Sequence, residues 1–589
     1  MSLSIIGISA HYHDAACCLL RDGEIVAAVQ EERFSRIKND PATPRHAFRY
    51  CLQRAGLSIG DIDCIAYYED PLKKLQRQLW MGLIPNRSAE RQTRLLRLLS
   101  ADSPLTELRD ALGFDGPIET FDHHESHAAS SFYYSGFNEA AVLTVDGVGE
   151  WATTTFARGN GHALQMLGEV QFPHSLGLFY SAITAYLGFE VNEGEYKVMG
   201  LAPYGQPAHL KQLRQLLGMR EDGDFRLDMR YFDFLHAERM FSDELVALLQ
   251  HPPREREAPL SEFHYDVARS AQVLLEECML ALVRHLHSIA PSDNLCLAGG
   301  VALNCVANSK VLREGPFKNL FVQPAAGDAG AALGAAALAH VRKTGARPSG
   351  ERLRHVYLGP RYTSAGIENT LAASALGHCS YRGREPELVD AVAERLANGK
   401  VVGWFQGGVE FGPRALGARS ILADPRASDM RDRINALVKQ RESFRPFAPV
   451  VLADRASRYF ELDHASPFMV EICAVVPGAA LPAITHVDGS TRVQTVDADT
   501  NPRLAALLEA FEARTGCAVL LNTSFNTRGE PIVCTPEDAL LCFVRARLDC
   551  LVLEDVLIDS AQVPKFWPLV AMQMQGAVSG VSRDVYTML

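Results

Sequence analysis

The stretch FDHHESHAASSFYYSGFNEAAVLTVDGVGEW, residues 121–151, brings two histidines and a carboxylate close together along the chain. His123 and His127 are four residues apart, so on a helix they lie on one face, about 5–6 Å apart at Cβ, and can share one cation. Asp146 ends the apolar run AVLTV and precedes a glycine-rich turn, a pattern typical of a strand that delivers an acid into a loop. The stretch therefore predicts part of a metal site on one helix and one strand.

The end of this stretch begins a strand–turn–strand pattern that is also present at the start of the chain. Near the N-terminus, LSIIGISA, DAACCLLR and EIVAAVQE are apolar β-formers, and an Asp22-Gly23 turn predicts that the last two form a hairpin. Residues 139–170 repeat the scheme, with a predicted turn at Gly159-Asn160-Gly161. Two like halves of this kind are typical of the actin and hexokinase superfold, which holds nucleotide phosphates between its halves. We therefore predict an α/β protein with a duplicated actin/hexokinase-like N-terminal domain.

Two further segments follow the order strand, loop, helix. Residues 294–312 contain a Gly299-Gly300 turn, and residues 320–341 contain Asp328 before a helix of small residues. Backbone N–H groups at glycine turns and helix N-termini can bind phosphate oxygens. The alternative is that these are ordinary strand-to-helix turns. A P-loop is excluded because the Walker lysine motif is absent from the sequence.

The length of 589 residues predicts more than one domain. Residues 343–364 are rich in glycine, proline and charge, so we place a boundary there, with domains at 1–350 and 351–589. After it, ELVDAVAERLANG and KVVGWFQG predict a helix and a strand, and CAVLLNTSFN, PEDALLCFVRARL and CLVLEDVLI predict strand, helix, strand. The second domain is therefore also predicted to be α/β.

Composition limits the partners and the compartment. The 58 Lys plus Arg against 70 Asp plus Glu give a net charge of −12, which disfavours nucleic acid and anionic membranes as partners. Residues 73–99 are basic and amphipathic, and we interpret them as a solvated helical face rather than an RNA or membrane contact. The 13 cysteines are scattered and form no C-x-x-C pair, so we expect them to be reduced and buried. With neither a signal peptide nor a membrane span predicted, we expect a cytoplasmic protein.

The candidate chemistry of the first domain centres on His123, His127, Asp146 and Asp328. Two histidines and two carboxylates suit Fe(II), Mn(II) or Zn(II); a hydrogen-bonded histidine pair without metal is the alternative. His13, at the mouth of the first hairpin, is a candidate general base toward a substrate hydroxyl, or else a satisfied turn histidine. Lys38 and Lys197 could place positive charge on a phosphate or carbonyl, or could be solvent-exposed. We also predict nucleotide or phosphate contacts from Gly147, Gly149, Lys197, Gly299, Gly300 and Asn304.

The second domain contains a basic segment. From Gly412 to Arg445 there are eight basic residues (Arg414, Arg419, Arg426, Arg431, Arg433, Lys439, Arg441 and Arg445) and four acidic ones. FGPRALGARSILADPR begins without helical or strand periodicity, so we predict that its arginines are displayed from a rigid loop as anion clamps. Surface ion pairing is the alternative. LNTSFNTRGEPIV adds polar donors suited to phosphate or a nucleoside: Asn522, Ser524, Asn526 and Arg528.

Ten motifs in order along both domains resemble the O-carbamoyltransferase family of antibiotic biosynthesis and nodulation-factor decoration. They are HDA, EERFSRIK, HHESHA, VDGVGEW, EYKVMGLAPYG, GGVALN, GDAGAALGAA, EFGPRALGARSILADPR, KQRESFRPFAPVV and LNTSFN. The resemblance implies an N-terminal domain like the tRNA threonylcarbamoyl-transferase, with an Fe(II) ion, joined to a YrdC-like C-terminal domain. It also implies that the second domain makes carbamoyl adenylate from carbamoyl phosphate and ATP, used with Mg, and that the first transfers the carbamoyl group to an alcohol.

The resemblance further implies roles for individual residues. His123, His127, Asp146 and Asp328 would be metal ligands, and His13 and Lys38 would belong to the transfer site. Residues of the activation site would be Arg414, Lys439, Arg445, Met469, Arg492 and Arg528.

Two other readings of the sequence remain. A tRNA-modifying threonylcarbamoyl-transferase would share the metal site but would need a nucleic-acid face, and a non-catalytic actin-like nucleotide sensor would not need the arginine clamp. For the family reading, the expected partner is a small hydroxylated acceptor of a kind the sequence does not specify. The oligomeric state, including a homodimer, is left open.

Overall fold

Two compact units divide the described part of the chain. The structure, a computed structural model, describes residues 2–82, 104–220, 223–236, 239–348, 350–374, 376–439, 442 and 444–569. The first unit comprises residues 2–31 and 39–353, and the second comprises Glu32–Lys38 and residues from 354 onward. The longer part of the second unit begins at Arg354, close to the predicted boundary after residue 350. The unit also includes Glu32–Lys38, which lies inside the predicted first domain.

The first unit contains two five-stranded sheets of the same topology. The strands of the first sheet are β1 (Ser4–Ser9), β2 (Ala16–Arg21), β3 (Glu24–Gln30), β4 (Cys64–Tyr67) and β5 (Ile118–Thr120). Its order is β3-β2-β1-β4-β5; β1, β2 and β3 are antiparallel neighbours, whereas β4 and β5 run parallel to β1. The predicted Asp22-Gly23 turn joins β2 to β3, with positive φ at both residues.

The second sheet repeats this arrangement. Its strands are β6 (Glu139–Val145), β7 (Ala152–Asn160), β8 (Ala163–Gln171), β11 (Asn294–Ala298) and β12 (Asn319–Val322); a separate hairpin contributes β9 (Leu217–Met219) and β10 (Phe225–Leu227). The order β12-β11-β6-β7-β8, with β6, β7 and β8 antiparallel and β11 and β12 parallel to β6, matches the first sheet strand for strand. The predicted duplicated actin/hexokinase-like α/β fold is confirmed.

Helices cover and connect these sheets. In the first unit they are α2 (Arg45–Ala55), α3 (Pro71–Gly82), α4 (Pro104–Leu112), α5 (His123–Phe132), α6 (Leu176–Tyr186), α7 (Glu195–Leu201), α8 (Leu210–Leu213), α9 (Asp243–Leu249), α10 (Glu262–Ile289), α11 (Cys305–Glu314) and α12 (Asp328–Thr344); α1 (Glu32–Ser35) belongs to the second unit. Helix α12 packs on α5 and against β1 and β2. Its small residues allow this close approach, since a Cβ at Gly334 would lie 1.7 Å from the backbone oxygen of Ser126 in α5.

The second unit is built on an eight-stranded mixed sheet. Its order is β13-β22-β21-β14-β15-β20-β16-β19. The strands are β13 (Cys379–Ser380), β14 (Val402–Phe405), β15 (Arg419–Ala423), β16 (Ala448–Leu452), β19 (Gln494–Val496), β20 (Val519–Ser524), β21 (Cys550–Leu553) and β22 (Val556–Asp559), with β17 (Cys473–Ala474) and β18 (Ser490–Thr491) in a separate pair. The helices are α13 (Ser364–Ser374), α14 (Glu385–Ala397), α15 (Met430–Ile434), α16 (Pro502–Thr515) and α17 (Pro536–Arg545). This unit is α/β, as predicted; its likeness to YrdC stays a prediction.

The segment Glu32–Lys38 contacts the rest of the second unit through two arginines. Arg33 Nη2 donates to the backbone oxygen of Gly412 at 2.7 Å. Arg36 donates through Nη1 to Ile532 O at 2.7 Å and through Nη2 to Pro531 O at 2.8 Å. The EERFSRIK motif therefore supplies donors to backbone carbonyl groups of the C-terminal half.

Three local predictions need correction or limitation. The turn between β7 and β8 lies at Gly161-His162, because Gly159 is inside β7, where a Cβ would lie 2.4 Å from the Phe132 ring. Of the basic segment 73–99, residues 73–82 fall in α3 and the rest lies outside the described residues. Twelve of the thirteen cysteines are buried, but Cys379 is exposed; the described residues contain no disulfide.

Among the described helices, none combines the length and the apolar character needed to cross a membrane.

The contact between α12 and α5 gives a stability prediction. Gly334→Ala should lower the free energy of unfolding by about 1–3 kcal/mol, because the added methyl group forces the two helices apart. We expect a lower melting temperature by calorimetry. Gly218→Ala, where a Cβ meets nothing within 4 Å, is the matched control. Equal melting temperatures for the two variants would contradict the prediction.

Candidate metal centre

Four buried side chains of the first unit converge on one point. The Nε2 atoms of His123 and His127 are 3.0 Å apart, and Asp146 Oδ2 lies 3.1 Å and 3.5 Å from them. Asp328 Oδ1 lies 3.7 Å from Nε2 of His123 and 3.6 Å from Nε2 of His127. All four ligand atoms lie within 4.8 Å of one another. The structure therefore brings together the four residues that the sequence singled out as ligands.

The fold explains why residues so far apart in sequence meet. His123 is the first residue of α5 and His127 lies one turn further on, whereas Asp146 directly follows the last residue of β6. Asp328 is the first residue of α12, not a loop residue as predicted. The backbones of α12 and α5 pack in close contact, and the N-terminus of α12, which carries Asp328, therefore lies beside the two histidines.

The charge of this cluster favours a cation. Burial lowers the pKa of His127, but the carboxylates of Asp146 and Asp328, whose oxygens lie 3.5 Å and 3.6 Å from its Nε2, outweigh burial and raise that pKa to about 9. Burial would raise the pKa of Asp146, yet hydrogen bonds from both histidines hold it well below its ordinary value. Two buried carboxylates therefore demand positive charge, either as protons on the histidines or as a metal ion.

The donor atoms fit a divalent transition metal. Both carboxylate oxygens of Asp328 are buried and make no hydrogen bond within the described residues. Donors about 2.1 Å from one ion are about 3.0 Å apart at right angles and about 3.4 Å apart in a tetrahedron, close to the separations found here. Imidazole with carboxylate suits Fe(II), Mn(II) or Zn(II).

His13 lies beside this cluster, in the loop between β1 and β2. Its Nδ1 is 3.1 Å from Asp14 Oδ2 and 3.8 Å from Asp328 Oδ2. Burial lowers the pKa of His13, but the charge of Asp328 and the hydrogen bond to Asp14 raise it to about 10. His11 and Asp14 have positive φ on either side of it, a backbone conformation that is uncommon outside functional sites and turns.

The glycine loops have contacts that the sequence did not reveal. Gly300 N donates to Asp146 Oδ1 at 2.9 Å, so this N–H orients a candidate ligand. Gly299 has φ +88°, and a Cβ there would lie 2.3 Å from Val145 O. Asn304 Oδ1 accepts from Ala307 N as the N-cap of α11. Phosphate binding by Gly147, Gly149, Gly299, Gly300 and Asn304 stays a prediction.

The two predicted lysines lie in different units. Lys38 is the last residue of the segment grouped with the second unit. Lys197 lies on α7 in the first unit, with Nζ 5.5 Å from the centre of the Phe189 ring. Their roles toward a phosphate or carbonyl stay predictions.

In the second unit, several arginines of the basic segment serve the protein itself. Arg419 is fully buried, donates to the backbone oxygens of Gln406, Gly407, Ala418 and Pro360, and stacks 3.5 Å above the Phe405 ring centre. Arg426 pairs with Asp424, and Arg433 with Asp549. The anion-clamp prediction, made for the arginines of residues 411–426, is therefore wrong for Arg419 and Arg426, because their guanidinium groups are bound to protein oxygens.

The loop that carries Arg414 is fixed by groups that sequence reasoning missed. Buried Glu410 accepts N–H bonds from Leu416 at 2.7 Å and Ala418 at 2.8 Å. Asn522 Nδ2 donates to Ala415 O and to Gln494 Oε1. Asn522 thus has a structural part in holding this loop, and its direct contact with a ligand stays a prediction. The position of Glu410 follows no helical or strand periodicity, so the sequence did not indicate this role.

The other predicted activation residues lie at the ends of strands of the eight-stranded sheet or in the segments that connect them. Lys439 ends a one-turn π-helix, a feature frequent at functional sites, and Met469 is buried with φ +56°. Arg445 Nη1 lies 3.8 Å from Glu442 Oε2, and Arg492 is half-buried. Ser524, the last residue of β20, donates through Oγ to Asn526 Oδ1, and Asn526 Nδ2 donates to Glu530 O, while Arg528 is exposed. Ligand binding by these residues stays a prediction.

Comparison with known proteins identifies the family. Residues 4–337 match the family model Carbamoyltransferase N-terminus, and residues 393–560 match Carbamoyltransferase C-terminus. An uncharacterized protein of Synechocystis is 47% identical over 598 residues, covering 95% of this chain and 97% of that protein. The nodulation protein NolNO of Sinorhizobium fredii is 41% identical over 572 residues, covering 95% of this chain and 81% of that protein.

A relative with a named reaction matches part of the chain. The 3'-hydroxymethylcephem-O-carbamoyltransferase of Amycolatopsis lactamdurans is 36% identical over 317 residues, covering 52% of this chain and 58% of that protein. Because both family models match and the longer relatives extend over nearly the whole chain, this chain is a carbamoyltransferase and belongs to the O-carbamoyltransferase family.

Proposed function

We propose that this enzyme makes carbamoyl adenylate from carbamoyl phosphate and ATP in its second unit. The carbamoyl group is then transferred in the first unit to a hydroxyl group of a small molecule. The observation that carries the proposal is the buried cluster of His123, His127, Asp146 and Asp328 with His13 beside it, in a chain of the O-carbamoyltransferase family.

In the transfer step, the hydroxyl oxygen of the acceptor attacks the carbamoyl carbon and AMP leaves with the electrons of the broken carbon–oxygen bond. A cation bound at the cluster would offset the charge of Asp328 that raises the pKa of His13, and would leave the imidazole neutral. His13 then takes the hydroxyl proton, and Asp14, 3.1 Å from Nδ1, orients the ring and stabilises the imidazolium. A metal ion held by His123, His127, Asp146 and Asp328, with Fe(II) the ion that the family resemblance implies, would polarise a carbonyl or phosphoryl oxygen as a Lewis acid. Carbamoyl adenylate is a mixed anhydride that reacts with water, and burial of the site excludes water from it.

In the activation step, water hydrolyses carbamoyl phosphate to carbamate and inorganic phosphate, and a carbamate oxygen then attacks the α-phosphorus of ATP and expels pyrophosphate. Two anionic substrates must therefore be held together. Arg414, Lys439 and Arg445 supply positive charge against the repulsion between carbamoyl phosphate and ATP. The hydrogen bonds that fix the loop around Arg414 support this role, because bidentate binding by an arginine requires a rigid backbone. Met469, Arg492, Ser524, Asn526 and Arg528 are the further residues that we assign to this site.

The surroundings of the enzyme follow from the same features. The net charge of −12 disfavours tRNA as the acceptor, so we favour a small hydroxylated metabolite. Thirteen cysteines without a disulfide in the described residues suit the reducing cytoplasm.

Removing Arg414 tests the activation step. With ATP, Mg and carbamoyl phosphate but no acceptor, we expect Arg414→Ala to lower the rate of carbamoyl adenylate formation about 100-fold, because a charge-stabilising donor is lost. The measurement is mass spectrometry of the adenylate and its AMP breakdown product. Arg431→Ala, at an exposed ion pair with Asp432, is the control. Full adenylate formation by Arg414→Ala would remove it from the site.

Removing Asp328 tests the metal centre. Protein purified under anaerobic conditions with Fe(II) should contain about one metal ion per chain, and Asp328→Asn should hold far less, because the loss of one anionic ligand weakens binding. Elemental analysis by mass spectrometry gives the stoichiometry. Asp224→Asn, at an exposed ion pair, is the control. Equal metal content in the wild type and Asp328→Asn would show that Asp328 is not a ligand.

Removing His13 tests the transfer step. The wild-type enzyme is first given a panel of hydroxylated metabolites, and mass spectrometry identifies one that gains a carbamoyl group only with both ATP and carbamoyl phosphate. With that acceptor and supplied carbamoyl adenylate, we expect His13→Ala to transfer about 100-fold to 10,000-fold more slowly, because the general base is lost. Adenylate formation should be unchanged. His162→Ala, at an exposed turn, is the control, and full transfer by His13→Ala would exclude the base role.

A further inference from the structure

Glu150 is a buried carboxylate that joins three segments of the first unit. Only 4% of it is exposed. Its Oε1 accepts from the backbone N–H of His123 at 3.0 Å and of Asp70 at 2.7 Å, and its Oε2 lies 3.2 Å from His123 N. It therefore connects the start of α5, the loop after β4 and the loop that begins at Asp146.

These contacts supply a cap that α5 lacks from its own residues. The first N–H groups of a helix have no partner within the helix. Asp122 occupies the N-cap position, but its side chain makes no capping bond; both its oxygens accept from Lys73 Nζ at 2.7 Å. Glu150 takes over the N–H of His123 from another segment, at the N-terminal end of the helix.

Outside the cluster itself, the two ligand rings have no hydrogen-bond partner in the described residues. A metal-binding histidine normally donates its second ring N–H to a carboxylate, a carbonyl or water. Here Nδ1 of both His123 and His127 is buried without a hydrogen-bond partner among the described groups. Ring orientation then depends on packing, such as Tyr68 with its ring centre 5.2 Å from that of His123, and on the backbone of α5.

The loop of Glu150 is also seated tightly against the start of α5. A Cβ at Gly149 would lie 3.0 Å from atoms of His123 and His124. Since Asp146 lies four residues before Glu150 on this loop, holding Glu150 to His123 N fixes the distance between a candidate ligand on the loop and two on the helix.

We propose that Glu150 is a positioning residue of the metal centre. Its carboxylate holds the N-terminus of α5 against the loop of Asp146 and so sets the separation of Asp146 from His123 and His127, without being a ligand itself. This inference rests on the metal centre of the proposed function.

The test compares two Glu150 variants with a neighbour at the same helix end. Glu150→Ala removes the acceptor. Glu150→Gln keeps one acceptor oxygen but replaces the other, which lies 3.2 Å from His123 N, by an NH2 group that cannot accept. We expect Fe(II) affinity to fall about 10-fold to 100-fold, less for Gln than for Ala. Asp122→Asn loses only the charge of the Lys73 pair and should stay within about 2-fold of the wild type.

Affinity is measured on the full chain by anaerobic competition with a chromophoric chelator. Co(II) added to the metal-free protein gives a second readout, because its visible spectrum reports ligand geometry. We expect an altered spectrum for both Glu150 variants and a wild-type spectrum for Asp122→Asn. If the Ala variant does not fold, as judged by circular dichroism, the nearly isosteric Gln variant decides.

The outcomes separate this inference from the proposed function. Wild-type affinity and spectrum in folded Glu150 variants would overturn the positioning role and leave the metal centre in place. Equal losses in Asp122→Asn and Glu150→Gln would also overturn it, because the helix end in general would then control affinity. A wild-type protein that binds neither Fe(II) nor Co(II) would overturn the metal centre and the inference together.

Discussion

The meeting of two buried carboxylates, Asp146 and Asp328, with two histidines is the interaction on which the first unit depends. Neither acid can keep its charge in the interior without a compensating cation. The pKa of His127 is raised to about 9 by the same charges, against the effect of burial, which shows how strongly the cluster attracts positive charge.

That convergence is achieved by unusually close packing of α12 on α5. A helix rich in glycine and alanine buries less side-chain surface, but its backbone can approach a neighbouring helix closely. Here the close approach brings Asp328, at the start of α12, to the two candidate histidine ligands on α5. The duplicated sheets place the ends of β6 and β1 at the same cluster, the one delivering Asp146 and the other the loop of His13. A symmetric scaffold therefore yields an asymmetric site.

Much of this could be predicted from sequence where the signal is local. The hairpin strands alternate with turn residues, the histidines share a helical spacing, and Asp146 and Asp328 lie at the ends of a strand and of a loop. The missed features are contacts between segments with no such spacing: Glu150 with His123 N, Glu410 with the loop of Arg414, and Gly300 N with Asp146. Arg419 was misjudged for the same reason, because only the folded chain shows the carbonyl groups that surround it.

The segment Glu32–Lys38 has a consequence for how this protein can be divided. A gene fragment that starts after Leu353 would encode the large sheet of the second unit but not Arg33 and Arg36, and the carbonyl groups of Gly412, Ile532 and Pro531 would lose those donors. The C-terminal half is thus a discontinuous domain, completed by a peptide that is translated first. Splitting the enzyme, or exchanging halves between relatives, requires that peptide to travel with the half it completes.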